Sequence, residues 1–88
     1  MTEEDHIQRW VGDMYDTMTV HPSGAIMARR AQNEVRLFPR RDTEGRVQSW
    51  KLVKTIDNGG KDIDFIPSGR VDLLKTTIQD WTDRKSVV

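Results

Sequence analysis

Glu34-Val-Arg-Leu-Phe-Pro-Arg-Arg41, Arg46-Val-Gln-Ser-Trp-Lys-Leu-Val-Lys-Thr-Ile56 and Lys61-Asp-Ile-Asp-Phe-Ile66 decide how this chain folds. Each run alternates apolar and polar residues, and the runs are separated by Asp42-Thr43-Glu44-Gly45 and Asp57-Asn58-Gly59-Gly60. Period-two alternation between glycine-containing turns predicts antiparallel strands joined as a meander. If both connections are four-residue turns, Leu37 lies opposite Trp50, Val35 opposite Leu52, Arg36 opposite Lys51, Leu52 opposite Phe65, Lys54 opposite Ile63 and Val53 opposite Asp64. That register gathers Val35, Leu37, Trp50, Leu52, Ile63 and Phe65 on one face, and a one-residue slip would scatter the set.

The flanking segments supply a cover for that face. From Thr2 to Met18, Ile7, Trp10, Val11, Met14, Tyr15 and Met18 recur at helical spacing, with Thr2 as N-cap and Glu3, Glu4 and Asp5 at the positive end of the helix dipole. Gly12 either permits a close approach or weakens the helix. His21-Pro22-Ser23-Gly24 ends this helix, and Ala25 to Ala31 reads as a strand turning through Gln32-Asn33. On that reading Ala31 faces Glu34, Ala28 joins Leu37 inside, Arg29 faces Arg36, Met27 faces Phe38, and Arg30 points inward by its long stem. Pro39 lacks a ladder donor, so pairing should break or bulge between Pro39 and Arg41.

After Pro67, Ser68 is the expected N-cap of a second helix running to about Arg84, with Val71, Leu74, Ile78 and Trp81 as its buried stripe and Arg84 and Lys85 at its negative end. The expected fold is an α+β two-layer sandwich: an N-terminal helix, a four-stranded antiparallel meander and a C-terminal helix, in the order α-β-β-β-β-α. Residues 1–85 form one domain, and residues 86–88 a frayed tail.

Composition narrows the function classes. The chain has 88 residues, 35% hydrophobic and 32% charged, with no cysteine, which excludes disulfides and thiolate zinc sites and fits a reducing cytoplasm. No apolar run suits a signal peptide or a membrane span, so the expectation is a cytoplasmic protein without membrane contact. His6 and His21 are the only histidines and have no metal-ligand spacing, so no metal, no cofactor and no catalytic residue is assigned and the chain reads as non-enzymatic. Asp62 and Asp64 share a strand face without a partner base and read as neutralising nearby cations, Asp64 lying diagonal to Lys51. Gly59-Gly60-Lys61 is better explained as a turn than as a phosphate loop. Ser68-Gly69-Arg70, opening a helix, is a candidate anion site.

Charge is polarised: residues 1–21 are acidic, and the predicted strands are basic. The face turned away from the helices should carry Arg29, Arg36 and Lys51 side by side, with Phe38, Arg40 and Arg41 close to them. Cations around an exposed aromatic suit single-stranded nucleic acid, whose bases stack on the ring while its phosphates meet the charges. Met27, Phe38, Val53 and Ile66, as apolar residues on that face, support the alternative of a protein-interaction module, a homodimeric adaptor or an inhibitor that binds an acidic protein surface. The plain reading is a solvated sheet face whose charges serve solubility. The sequence pI of about 6.7 and the placing of Asp62 and Asp64 on the same face weigh against nucleic acid. No residue motif of a known family is present.

Overall fold

Thr2 starts helix α1 (Glu3–Met14): its hydroxyl accepts from the Asp5 N–H at 3.2 Å, and the Asp5 carboxylate accepts from the Thr2 N–H at 3.4 Å. This reciprocal pair satisfies two backbone donors that the helix itself cannot. In this computed structural model the backbone is described for residues 2–55 and 59–83. The expected frayed tail 86–88, the roles of Arg84 and Lys85 and the pairing of Ile56 lie outside the described residues.

The helix ends four residues earlier than its periodicity suggests. Tyr15 turns extended (φ −117°, ψ 156°), and Thr17–Val20 becomes strand β1. Thr17, Thr19 and Val20 are β-branched, which favours a strand over another helical turn. Strand β1 pairs antiparallel with β2 (Ile26–Arg30), Val20 opposite Ile26 and Met18 opposite Ala28. His21-Pro22-Ser23-Gly24 therefore joins two strands. A Cβ on Gly24 (φ +98°) would lie 2.7 Å from Arg41 Nη2, so only glycine fits. Gly12 faces the Met18 side chain across ordinary contact distance, as a close approach between helix and sheet requires.

With β3 (Asn33–Arg41), β4 (Val47–Thr55) and β5 (Lys61–Pro67), the sheet has five strands in the order β1-β2-β3-β4-β5, every neighbour antiparallel. The α+β class holds, with one strand more than expected. Three registers differ in detail. The β2–β3 turn is Ala31-Gln32, with Ala31 at φ 55°, so Ala28 pairs with Val35, Met27 with Arg36 and Arg29 with Glu34, in place of Leu37, Phe38 and Arg36. In the β3–β4 hairpin Leu37 pairs with Leu52, Arg36 with Val53 and Phe38 with Lys51. The irregularity expected near Pro39 falls between Arg40 and Arg41, while Pro39 itself sits opposite Trp50. Both shifts equal two residues, so the side chains of β2 and those of β3 as far as Arg40 keep their predicted faces, whereas Arg41, beyond the irregularity, does not.

The β4–β5 hairpin differs by one residue, and faces change. Trp50 pairs with Ile66, Lys51 with Phe65, Leu52 with Asp64, Val53 with Ile63 and Lys54 with Asp62. Ile66 is 2% exposed, whereas Ile63 and Phe65, expected inside, are 51% and 52% exposed on the outer face. Asp62 and Asp64 turn to the helix side, and Asp64 no longer neighbours Lys51 across the outer face. The far end of the strand imposes this register: the Ser68 N–H donates to the Gln48 carbonyl at 2.9 Å, and Ile66 seats beside Trp50 in the core.

Helix α2 (Val71–Asp83) begins after Arg70, whose carbonyl accepts from the Leu74 N–H at 3.1 Å, so Ser68 is not its N-cap. Ile7 and Val11 from α1, Tyr15 just beyond its end, and Leu74, Ile78 and Trp81 from α2 cover Ile26, Ala28, Val35, Leu37, Trp50, Leu52 and Ile66 in one core. Lys54 Nζ donates to the Trp81 carbonyl at 2.6 Å, placing a cation at the negative end of α2. Among the described residues no helix lies on the opposite sheet face. Neither helix is long and apolar enough to cross a membrane.

Candidate functional site: the open sheet face

The registers place Phe38, Lys51 and Phe65 in one row across β3, β4 and β5. Neighbouring strands stand about 4.8 Å apart, so the two rings lie roughly 10 Å apart with the lysine between them. Met27, Arg36, Val53 and Ile63 form the adjacent row, and Arg29, Glu34, Thr55 and Lys61 the next. Arg40 stands opposite Ser49, and its guanidinium lies 5.7 Å from the centroid of the Phe65 ring. Phe38 is 37% exposed, so both aromatic faces of the row reach solvent.

The electrostatics follow from the same rows. Glu34 lies between Arg36 (3.2 Å) and Arg29 (3.8 Å), which relieves the like-charge stack the sequence predicts. Lys51 and Lys61 have no described acid within 4.0 Å. Among the described residues of this face, Glu34 is the acid set against Arg29, Arg36, Arg40, Lys51 and Lys61. With Asp62 and Asp64 on the other side, the face is more basic than the sequence suggests.

Arg29, Arg36, Phe38, Arg40 and Lys51 thus come together as predicted, and Arg41 does not. Arg41 points to the helix side, where it donates to both carboxylate oxygens of Glu4 (3.2 and 3.1 Å), to the Gly45 carbonyl (3.0 Å) and to the Ser23 carbonyl (3.1 Å). Ile66, expected outside, is buried.

The candidate anion site at Ser68-Gly69-Arg70 does hold a carboxylate, that of Glu3. The Gly69 N–H donates to Glu3 Oε1 at 2.6 Å, while the Ser68 hydroxyl (3.2 Å) and Trp50 Nε1 (3.1 Å) donate to Oε2. Arg70 instead pairs with Asp72 at 3.3 Å, and this holds the Asp72 carboxyl below its ordinary pKa. The site joins the start of α1 to the β5–α2 connection.

Phe65, Ile63 and Lys61 are the members of the face that sequence reasoning missed. Their alternation with Asp62 and Asp64 shows that they share a side. It does not show which side, because Ile66 has the opposite parity. Comparison of the chain with family models, with curated proteins and with solved structures finds no match.

Proposed function

We propose that the protein is a cytoplasmic binding module, not an enzyme, whose open sheet face holds single-stranded nucleic acid. The observation that carries this reading is the row Phe38–Lys51–Phe65: two exposed rings flank a cation, with Arg36 and Arg40 beside them. Bases stack on rings whatever their identity, and cations placed between rings meet the phosphates that link the bases. The turning of Asp62 and Asp64 away from this face supports the same reading, since it removes the charges that opposed it.

Fluorescence anisotropy with a labelled single-stranded oligonucleotide, titrated at several salt concentrations, tests the proposal. Affinity should fall steeply with salt, with a log–log slope of about 0.7 per phosphate engaged. Phe38→Ala should weaken binding to single strands of any sequence by about 1–3 kcal/mol. Absence of binding at low salt, or a flat salt response, overturns the proposal.

A second reading rests on the row Met27–Arg36–Val53–Ile63, in which Met27 and Ile63 extend the exposed apolar patch around Phe38 and Phe65, while Val53, expected to add to it, is buried between its neighbours. On that reading two copies stack through this face, or an acidic protein surface covers it. Light scattering at low and at high salt, with and without the oligonucleotide, separates the two: a dimer that persists at high salt and takes up no oligonucleotide at low salt supports the second.

A further inference from the structure

At one end of the open face the row that contains Phe38, Lys51 and Phe65 is interrupted. The His21 N–H donates to the Ala25 carbonyl at 2.8 Å, extending the β1–β2 ladder by one step. Beyond the Ile26–Leu37 pair, Ala25 then comes next to Phe38. A methyl group thus stands where the other positions of the row carry long side chains. The result is a groove of about 470 Å³ lined by Thr19, His21, Ala25, Met27, Arg36 and Phe38, among others. That volume falls within the roughly 300–1,000 Å³ range of small-molecule sites.

The groove has the makings of a planar site. Phe38 and His21 both line it. The Ser23 N–H donates to His21 Nδ1 at 3.1 Å, and the Ser23 hydroxyl lies 2.9 Å from the same nitrogen. With Nδ1 accepting, the neutral ring carries its proton on Nε2, which engages no described residue. Arg36 is steadied by Glu34 at 3.2 Å and lines the same groove. An aromatic face, an imidazole N–H and a guanidinium are a donor set for a flat ring that bears carbonyl oxygens.

We propose that this groove seats one nucleobase of the bound strand, stacked on Phe38 with its carbonyl edge toward His21 Nε2 and Arg36. This rests on the single-strand reading above and adds base preference to it. Phosphates on either side of the seated base face Lys51 and Arg29. Thymine and uracil, with two carbonyls, fit this donor set better than adenine, which has none.

The test compares oligo(dT) with oligo(dA) on the unmodified protein, on Ala25→Leu, which fills the groove, and on His21→Ala, with circular dichroism to check folding. Ala25→Leu should weaken oligo(dT) binding about tenfold without changing the salt slope, and His21→Ala should abolish the preference for dT over dA. Oligo(dT) binding to Ala25→Leu within about twofold of the unmodified protein, or no dT preference in the unmodified protein, overturns the base site and leaves the single-strand reading standing. Failure of the unmodified protein to bind either strand overturns both. If Ala25→Leu does not fold, the ring protons of His21 and Phe38 decide by nuclear magnetic resonance. Their movement upfield on addition of oligo(dT) supports the base site, and unmoved signals overturn it.

Discussion

Glu3 at the start of α1 and Trp50 in the middle of β4 are joined by a hydrogen bond of 3.1 Å from the indole Nε1 to the carboxylate, although 47 residues separate them. The same carboxylate receives the Ser68 hydroxyl and the Gly69 N–H, so one side chain ties a helix, a central strand and the connection into α2. Hydrogen bonds to a charged acceptor contribute about 1.5–3 kcal/mol, and stranding the indole N–H adds to the loss. Glu3→Ala should therefore lower stability by roughly 2–3 kcal/mol in urea denaturation followed by Trp fluorescence. A loss below about 0.5 kcal/mol would show that this junction holds nothing together.

Ile66 and Phe65 are adjacent, yet substitution should affect them in opposite ways. Ile66→Ala removes a fully enclosed side chain beside Trp50 and should cost about 2–5 kcal/mol. Phe65→Ala removes a ring that is half exposed and meets Arg40, and should cost less than about 1 kcal/mol. Oligonucleotide affinity should show the reverse order, falling with Phe65→Ala. Equal stability losses for the two variants would mean that β5 sits in the other register.

Arg41 and Lys51 separate structure from binding in the same manner. Arg41→Ala breaks the paired contacts to Glu4 and those to the Ser23 and Gly45 carbonyls, costing about 1 kcal/mol of stability, and leaves the salt slope of oligonucleotide binding unchanged. Lys51→Ala should leave stability nearly unchanged and reduce that slope by about 0.7. Measured thermal midpoints and salt titrations of the two variants check both statements.

Asp42 makes the β3–β4 turn sensitive to acid. Its carboxylate accepts from the Arg46 N–H (2.9 Å), the Gln48 side-chain amide (2.9 Å) and the Glu44 N–H (2.8 Å), and these bonds hold its pKa below the ordinary value of 3.8. A native pKa below the unfolded one means that the stabilisation is complete above the unfolded value. It drains away as the pH falls below 3.8 through the lowered native value. Thermal midpoints measured from pH 6 downward should fall less steeply at acid pH for Asp42→Ala than for the unmodified protein.

The elements whose side chains alternate or recur strongly were legible from residues alone. The α1 stripe of Ile7 and Val11, the α2 stripe of Leu74, Ile78 and Trp81, and the inward set Val35, Leu37, Trp50 and Leu52 all take the side their spacing requires. So do Arg29, Arg36, Phe38, Arg40 and Lys51 on the outer side. Met18 was misread because its helical spacing continues the α1 stripe, while the β-branched residues around it, with β2 available as a partner, turn the chain into a strand.

Local pattern settled periodicity, and hence which residues of one element share a side. It could not settle which of the two sides of β5 is the inner one, because Ile63 and Phe65 have one parity and Ile66 the other, and each choice buries apolar surface. Contacts made far away in the chain decided that: Trp50 against Ile66, Gln48 with Ser68, and Glu3 with Gly69 hold the end of the strand, and the pleat carries their choice back to Phe65. The second aromatic of the open face owes its exposure to tertiary anchoring, since a register is a property of two strands and their surroundings together.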